Sequence, residues 1–172
     1  MQRPDLHEGH SRLESTRRHQ QCDRRRTHEG VIMRTTISKQ FRWEMGHRLP
    51  FHEGLCKNIH GHSYEAHVIL TGEPDANGMV MDYYDMKLLI QDKLDELDHC
   101  FLCDASDMVV REFLERNAMK TVLVNVPTTA ENIARMLLTH VVSKLPAGHR
   151  IDNVRLRVFE TEKTFAEVEI TL

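Results

Sequence analysis

From residue 35 onward the chain switches between two hydrophobic periods. Residues 35–47 and 60–70 read as strands. In the second, His62, Tyr64, Ala66, Val68 and Leu70 share one face while Ser63, Glu65, His67 and Ile69 take the other, because strand side chains alternate with a period of two. Residues 74–78 carry turn chemistry. Asp82 then stands where a helix N-cap belongs, with Met86, Leu89, Ile90, Leu94 and Leu97 at helical spacing behind it. Residues 106–117 read as a short helix and residues 121–126 as a β-like run. Thr128-Thr129-Ala130-Glu131 has the form of a capping box. It opens a helix whose apolar face holds Ile133, Met136, Leu137 and Val141, and Pro146 and Gly148 end it. Residues 154–158 and 168–170 alternate and flank a turn at Glu162-Lys163, a C-terminal hairpin. Hairpin, helices, hairpin is an α+β order, with an antiparallel sheet covered on one face.

Residues 1 to about 30 break this pattern: they are rich in Arg, His, Gln and Glu, with few apolar positions and no period. Such a stretch cannot bury enough surface to offset its ordering entropy. Residues 1–32 therefore read as a disordered extension or a mis-assigned upstream start, and Met33 as a natural beginning. Arg24-Arg25-Arg26 is open to two readings, a phosphate-binding arm or a solvated charge run. Residues 33–172 are expected to form a single domain, a length that allows one proper core.

Charge and composition narrow the function classes. A formal charge of −3 over 172 residues gives no electrostatic case for nucleic acid as the main partner. No apolar run approaches the roughly 18–20 residues that span a membrane, and the polar N-terminus lacks a secretory core. The four cysteines, Cys22, Cys56, Cys100 and Cys103, form no dense framework, so a reducing cytoplasm is the expected location. Cys100 and Cys103 flank an expected loop start and read as small buried hydrophobes rather than redox partners.

The chemistry lies in Cys56-Lys57-Asn58-Ile59-His60-Gly61-His62, which follows His47 by about one hairpin. Imidazoles two apart on a strand project from one face, so His60 and His62 can grip one ion, with His47 supplying a third nitrogen from the neighbouring strand. Three protein nitrogens leave a fourth tetrahedral position open, the arrangement of catalytic zinc. Cys56 stands close enough to act on what fills it. A second reading makes Cys56 a ligand of a closed structural zinc, although no paired C-x-x-C accompanies it. His67 takes the opposite face and is left out of the site. Asp98-His99 follows a helix, where a histidine is often only a dipole partner. Glu160, by itself, reads as an exposed strand carboxylate. Glu131 and Asp82 have sufficient work as helix-capping residues.

Several separated pieces occur together in one order: residues 41–47, Cys56-x-x-x-His60-Gly61-His62, Gly78-Met79-Val80-x-Asp82, Leu97-Asp98-His99, Pro127-Thr128-x-Ala130-Glu131-Asn132 and Val158-x-Glu160-Thr161. Over residues 34–172 they resemble the 6-pyruvoyltetrahydropterin synthase and 6-carboxy-5,6,7,8-tetrahydropterin synthase family. The resemblance implies the tunnelling fold (T-fold), a four-stranded antiparallel sheet with helices packed on one face. It also implies trimers whose sheets close into a barrel, two trimers stacking as a homohexamer, and active sites between subunits. By position, His47, His60 and His62 match the ligands of Zn2+, Cys56 the catalytic thiol, and Asp98 and His99 its partner acid and imidazole. Glu160 matches the carboxylate that anchors the pterin ring, and Thr128 and Thr129 match residues lining that pocket. Zinc would polarise the oxygens of a dihydropterin side chain. A thiol beside a cation and an imidazole would serve as base.

The chain also departs from the family pattern. The segment between His99 and Pro127 is longer than in the shortest members and has no assigned role. Residues 42–46 are bulkier than in many members. Retention of Cys56 sets the chain apart from the branch with glutamate there. The short spacing from His47 to Cys56 resembles the bacterial carboxy-forming type. The expected activity is therefore that of a lyase converting 7,8-dihydroneopterin triphosphate to 6-carboxytetrahydropterin, acetaldehyde and triphosphate, on the route to queuosine and other 7-deazapurines. The alternatives are the 6-pyruvoyltetrahydropterin synthase reaction and a non-catalytic zinc-binding assembly protein.

Overall fold

Strands β1 (Thr35–His47) and β2 (His60–Gly72) pair antiparallel without interruption, from Thr35 opposite Gly72 to His47 opposite His60. The computed structural model describes residues 33–172; the expectations for residues 1–32 and Cys22 lie outside them. Phe41, Trp43 and Met45 of β1 and Tyr64, Ala66, Val68 and Leu70 of β2 are buried on one face, as the period of two requires. β5 (Ile151–Thr161) pairs antiparallel with β2, and β6 (Thr164–Thr171) with β5, completing the second expected hairpin.

Helix α4 (Ala130–Ser143) supplies Ile133, Leu137 and Val141 to the core these strands share. Burying each of these side chains contributes about 1.5–3 kcal/mol. The opposite face of β1, β2, β5 and β6 carries ion pairs, Arg42 with Glu65 and Arg157 with Glu167, a polar surface suited to water.

The sheet differs from the four-stranded antiparallel expectation: it has six strands in the order β4-β3-β1-β2-β5-β6 and is mixed. β3 (Cys100–Asp104) and β4 (Thr121–Val124) run parallel to one another, joined by helix α3 (Met108–Arg116), and β3 meets β1 only at Met45–Cys100 and Gly46–Phe101. Cys100 and Cys103 are thus buried within a strand rather than beside a loop. Five residues that are mostly buried carry too little alternation to announce a strand.

The helix expected after Asp82 is broken into α1 (Tyr83–Leu88) and α2 (Gln91–Leu97), with Ile90 at φ −133° between them. Both neighbours at the break, Leu89 and Ile90, are buried. Asp82 caps α1 as expected, accepting from the Tyr84 amide. The cap of α4 falls one residue later than the capping-box pattern implied. Thr129 Oγ1, not Thr128, accepts from an amide there, that of Asn132.

Candidate metal centre

The β1–β2 ladder ends in three imidazoles. His47 stands directly opposite His60, and His62 lies opposite Met45. Their rings converge, with centroids 4.5 Å apart for His47–His60, 5.4 Å for His47–His62 and 5.1 Å for His60–His62. One nitrogen from each lies within 4.8 Å of the others. Gly61 permits this crowding: a Cβ there would sit 3.0 Å from the Met45 carbonyl oxygen and 3.5 Å from Gly46 Cα.

Hydrogen bonds decide which nitrogens are free. His47 Nδ1 lies 2.8 Å from the Thr128 carbonyl oxygen, and His60 Nδ1 lies 2.8 Å from that of Asn58. A carbonyl only accepts, so each Nδ1 carries the hydrogen and each Nε2 offers a lone pair. His47 Nε2 is fully buried and has no hydrogen-bond partner among the described residues. Glu160 Oε1 stands 3.7 Å away, too far for a hydrogen bond. Burial pushes His47 and His62 below the usual histidine range, against the opposing pull of Glu160. Neutral imidazoles with free Nε2 atoms are in the state that binds metal. An orphaned buried nitrogen facing two more imidazoles therefore fits a metal ion, and an all-imidazole donor set suits zinc, copper, iron or nickel.

Tyr64, two residues beyond His62 on the same face, closes the inner side. Its ring lies edge-on to His47 and His62, and its hydroxyl donates to Glu160 Oε1 at 3.4 Å. Burial and the Glu160 charge raise the Tyr64 phenol far above its ordinary value, so it remains a donor. Sequence reasoning placed Tyr64 on the right face but gave it no part in the site. The signal was its period-two continuation of His60 and His62.

The other expected residues fall into separate places. Cys56 is half-buried in a short 3-10 turn, Leu55–Lys57, between β1 and β2. Thr128 is buried, and its hydroxyl donates to the Arg48 carbonyl at 2.9 Å. Thr129 caps α4. Both hydroxyls are engaged within the chain. Asp98 and His99 form their pair, with His99 Nδ1 2.8 Å from Asp98 Oδ2.

That pair is stapled to β1: the Glu44 amide donates to Asp98 Oδ1 at 2.9 Å, and the His99 amide donates to the Glu44 carbonyl. The first of these bonds, and then His99, hold the Asp98 carboxyl below its usual range. His99 has φ +58°, a conformation that costs a non-glycine residue about 1–2 kcal/mol. Lys120 also anchors this step, its ammonium donating to the carbonyls of Asp95 and Asp98. An open cleft of about 390 Å³ is lined by His62, Ser63, Glu44 and His99 among others. The chain thus brings His99, with Asp98 bonded to it, to the His62 side of the imidazole cluster, whereas Cys56 is not among the residues lining that cleft.

Fold and site together define a tunnelling-fold protein whose three converging imidazoles could hold a metal ion. The family model described as 6-pyruvoyl tetrahydropterin synthase matches residues 36–170. The chain belongs to this family and is a lyase. It is 33% identical over 141 residues to the 6-carboxy-5,6,7,8-tetrahydropterin synthase of Haemophilus influenzae, covering 77% of this chain and 97% of that protein. It is 30% identical over 144 residues to the protein of the same description from Aquifex aeolicus, covering 72% and 89%. Among solved structures, the 6-pyruvoyl tetrahydropterin synthase of Plasmodium falciparum superposes with a TM-score of 0.66 at 15% identity, covering 81% of this chain and 99% of that one. That of Caenorhabditis elegans superposes at 0.59 and 24%, covering 81% and 98%. At these identities the solved structures establish the fold alone.

Proposed function

We propose that this chain is a zinc-dependent 6-carboxy-5,6,7,8-tetrahydropterin synthase. It would convert 7,8-dihydroneopterin triphosphate to 6-carboxytetrahydropterin, acetaldehyde and triphosphate, on the route to queuosine. The observation that carries the reading is the buried, unpartnered Nε2 of His47 facing His60 and His62, in a chain whose curated relatives near 30% identity are named for this product.

His47, His60 and His62 would hold the ion. Bound zinc supplies a Lewis acid toward the oxygens of the substrate side chain, easing loss of the adjacent proton. Cys56 Sγ would accept that proton. His99, oriented through Nδ1 by Asp98, would hold or return a proton at Nε2. Glu160 would accept from the amino-pyrimidine edge of the pterin, with Tyr64 fixing its carboxylate. Thr128 and Thr129 would shape the pocket wall, Thr128 chiefly through the carbonyl that sets the His47 tautomer.

The reading includes assembly. Before Met45, the outer edge of β1 pairs with no other strand among the described residues, and β6 ends the sheet on the other side. Two open edges favour closure by further copies. We assign the working form to a homohexamer of barrel-forming trimers that completes each site across subunits. No helix among the described residues is long and apolar enough to cross a membrane. A cytoplasmic setting would keep Cys56, Cys100 and Cys103, which are free thiols, reduced.

The test is product identification by mass spectrometry after zinc-loaded protein meets 7,8-dihydroneopterin triphosphate. Carboxytetrahydropterin with acetaldehyde is the expected result. A pyruvoyl product would move the chain to the activity for which the family model is described. No turnover by a zinc-loaded hexamer would overturn the catalytic reading.

A further inference from the structure

Arg48 follows His47 directly, yet its guanidinium reaches across to Asp107. Its Nε donates to Asp107 Oδ2 at 2.5 Å and its Nη2 to Oδ1 at 2.6 Å, a bidentate fork. The Asp107 side chain is 5% exposed and that of Arg48 22%, so the pair is largely shielded from water. Asp107 is also the N-cap of α3, so the fork grips the start of that helix, inside the segment between His99 and Pro127 to which the sequence alone assigns no role. The third guanidinium nitrogen, Nη1, donates to the carbonyl of Lys57 at 3.4 Å, one residue beyond Cys56. Arg48's own carbonyl accepts from Thr128 Oγ1.

Besides the Arg48–Lys57 contact, the turn that carries Cys56 is tied to β2 by His60 Nδ1, which donates to the Asn58 carbonyl at 2.8 Å, two residues beyond Cys56. Its 3-10 helix contains no buried residue, and Phe51 and Leu55 are exposed. Its backbone bonds are local: Leu49 amide to Cys56 carbonyl, His52 to Leu49, Lys57 to Gly54 and Asn58 to Leu55. A turn without apolar anchors takes its position from polar contacts to rigid elements. A guanidinium already locked in a fork makes such a contact at low entropic cost.

We infer that Arg48 and Asp107 are positioning residues: the pair braces the Cys56 turn against the start of α3 and sets the thiol relative to the His47–His60–His62 face. The inference rests on the reading of Cys56 as the reacting thiol, but its first readout needs no substrate. Full-length zinc-loaded protein and the variants Arg48→Gln, Arg48→Lys and Asp107→Asn are compared with Val110→Ala. The last trims the buried Val110 side chain and loosens the packing of α3, while it keeps both fork residues and the Val110 amide that donates to Asp107 Oδ1. Alkylation of Cys56 by iodoacetamide at fixed pH is followed on its own peptide, together with kcat, KM and the melting temperature.

Loss of the fork should speed Cys56 alkylation about fivefold or more, because the turn opens more often. It should also lower kcat about tenfold or more with KM nearly unchanged, because the thiol is misplaced rather than the substrate lost. Arg48→Lys keeps the charge and loses the fork, so it should behave as Arg48→Gln does. Val110→Ala should leave both readouts near wild type even where its melting temperature falls as far. Should Arg48→Gln fail to fold, Arg48→Lys and Asp107→Asn give the same reading. Unchanged alkylation in the fork variants, or the same acceleration in Val110→Ala, would overturn the inference. Absence of turnover in the wild type would count against the proposed function alone, since the alkylation comparison still decides the brace.

Discussion

His47 Nδ1 and the Thr128 carbonyl oxygen stand 2.8 Å apart although 81 residues of chain separate them. That bond fixes the hydrogen on Nδ1 and leaves Nε2 as a buried lone pair with no partner among the described residues. The approach to α4 therefore sets which ring nitrogen of His47 is free at the end of β1.

Replacing any one imidazole should empty the site. His60→Ala and His62→Ala are expected to retain well under one zinc per chain after dialysis, a loss of affinity of about 100-fold or more. Disturbing even the groups around such ligands costs 10–100-fold. His47→Ala should in addition destabilise the fold by about 1–3 kcal/mol, because the Thr128 carbonyl loses its buried donor. Metal analysis and urea unfolding measure the two effects. Full zinc retention by all three variants would remove the metal centre from this position.

Cys56→Ala separates the catalytic thiol from the closed structural zinc. It should keep one zinc per chain and lose roughly 100-fold or more in turnover, in line with removal of a general base. Metal loss on this substitution would make Cys56 a ligand instead. Full activity would end the role assigned to the thiol.

Gly61→Ala should act on metal affinity without removing a ligand. The added Cβ would stand 3.0 Å from the Met45 carbonyl, so β1 and β2 must part where His47 faces His60. We expect a cost of about 1–3 kcal/mol in stability and weaker zinc binding. A crystal structure of the variant with an unchanged strand spacing would contradict this.

Burial pushes the Cys100 thiol up to about 11 and raises Cys103 as well. In the folded protein at about pH 8, iodoacetamide should modify Cys56 and spare both, since the thiolate is the nucleophile. Peptide mapping before and after denaturation reads this directly. Rapid native labelling of Cys100 would place β3 outside the core.

Asp92 bonds to Lys144 and His140 of the α4 region, and these bonds hold its carboxyl below the usual range. A depressed carboxyl contributes stability above its unfolded pKa, near 3.9, and loses it as pH falls through the folded value. Asp92→Asn should therefore lower the melting temperature at neutral pH, with the difference closing below about pH 4. The side chain is 56% exposed, so solvent screening keeps the effect under about 1 kcal/mol. A difference that persists unchanged at lower pH would show that the ion pair is not its source.

The strands that carry the metal face were legible because their signal is local. Alternation along residues 35–47 and 60–70 places His60, His62 and Tyr64 on one side and His67 on the other, and the ladder confirms it. β3 was hidden for the same reason: Cys100–Asp104 is short and mostly buried, so its sequence carries no period to read.

By itself, the sequence determined which elements form the two hairpins, which face the imidazoles share, and the family to which the chain belongs. These follow from backbone periodicity and from residue types at set spacings. Only the tertiary structure decided that Thr128 selects the free nitrogen of His47, that Tyr64 holds Glu160, and that Asp107 reaches Arg48 through the parallel β3–α3–β4 segment. Those partners lie about 60 to 100 residues apart, and their meeting depends on how a shared core packs rather than on any local pattern.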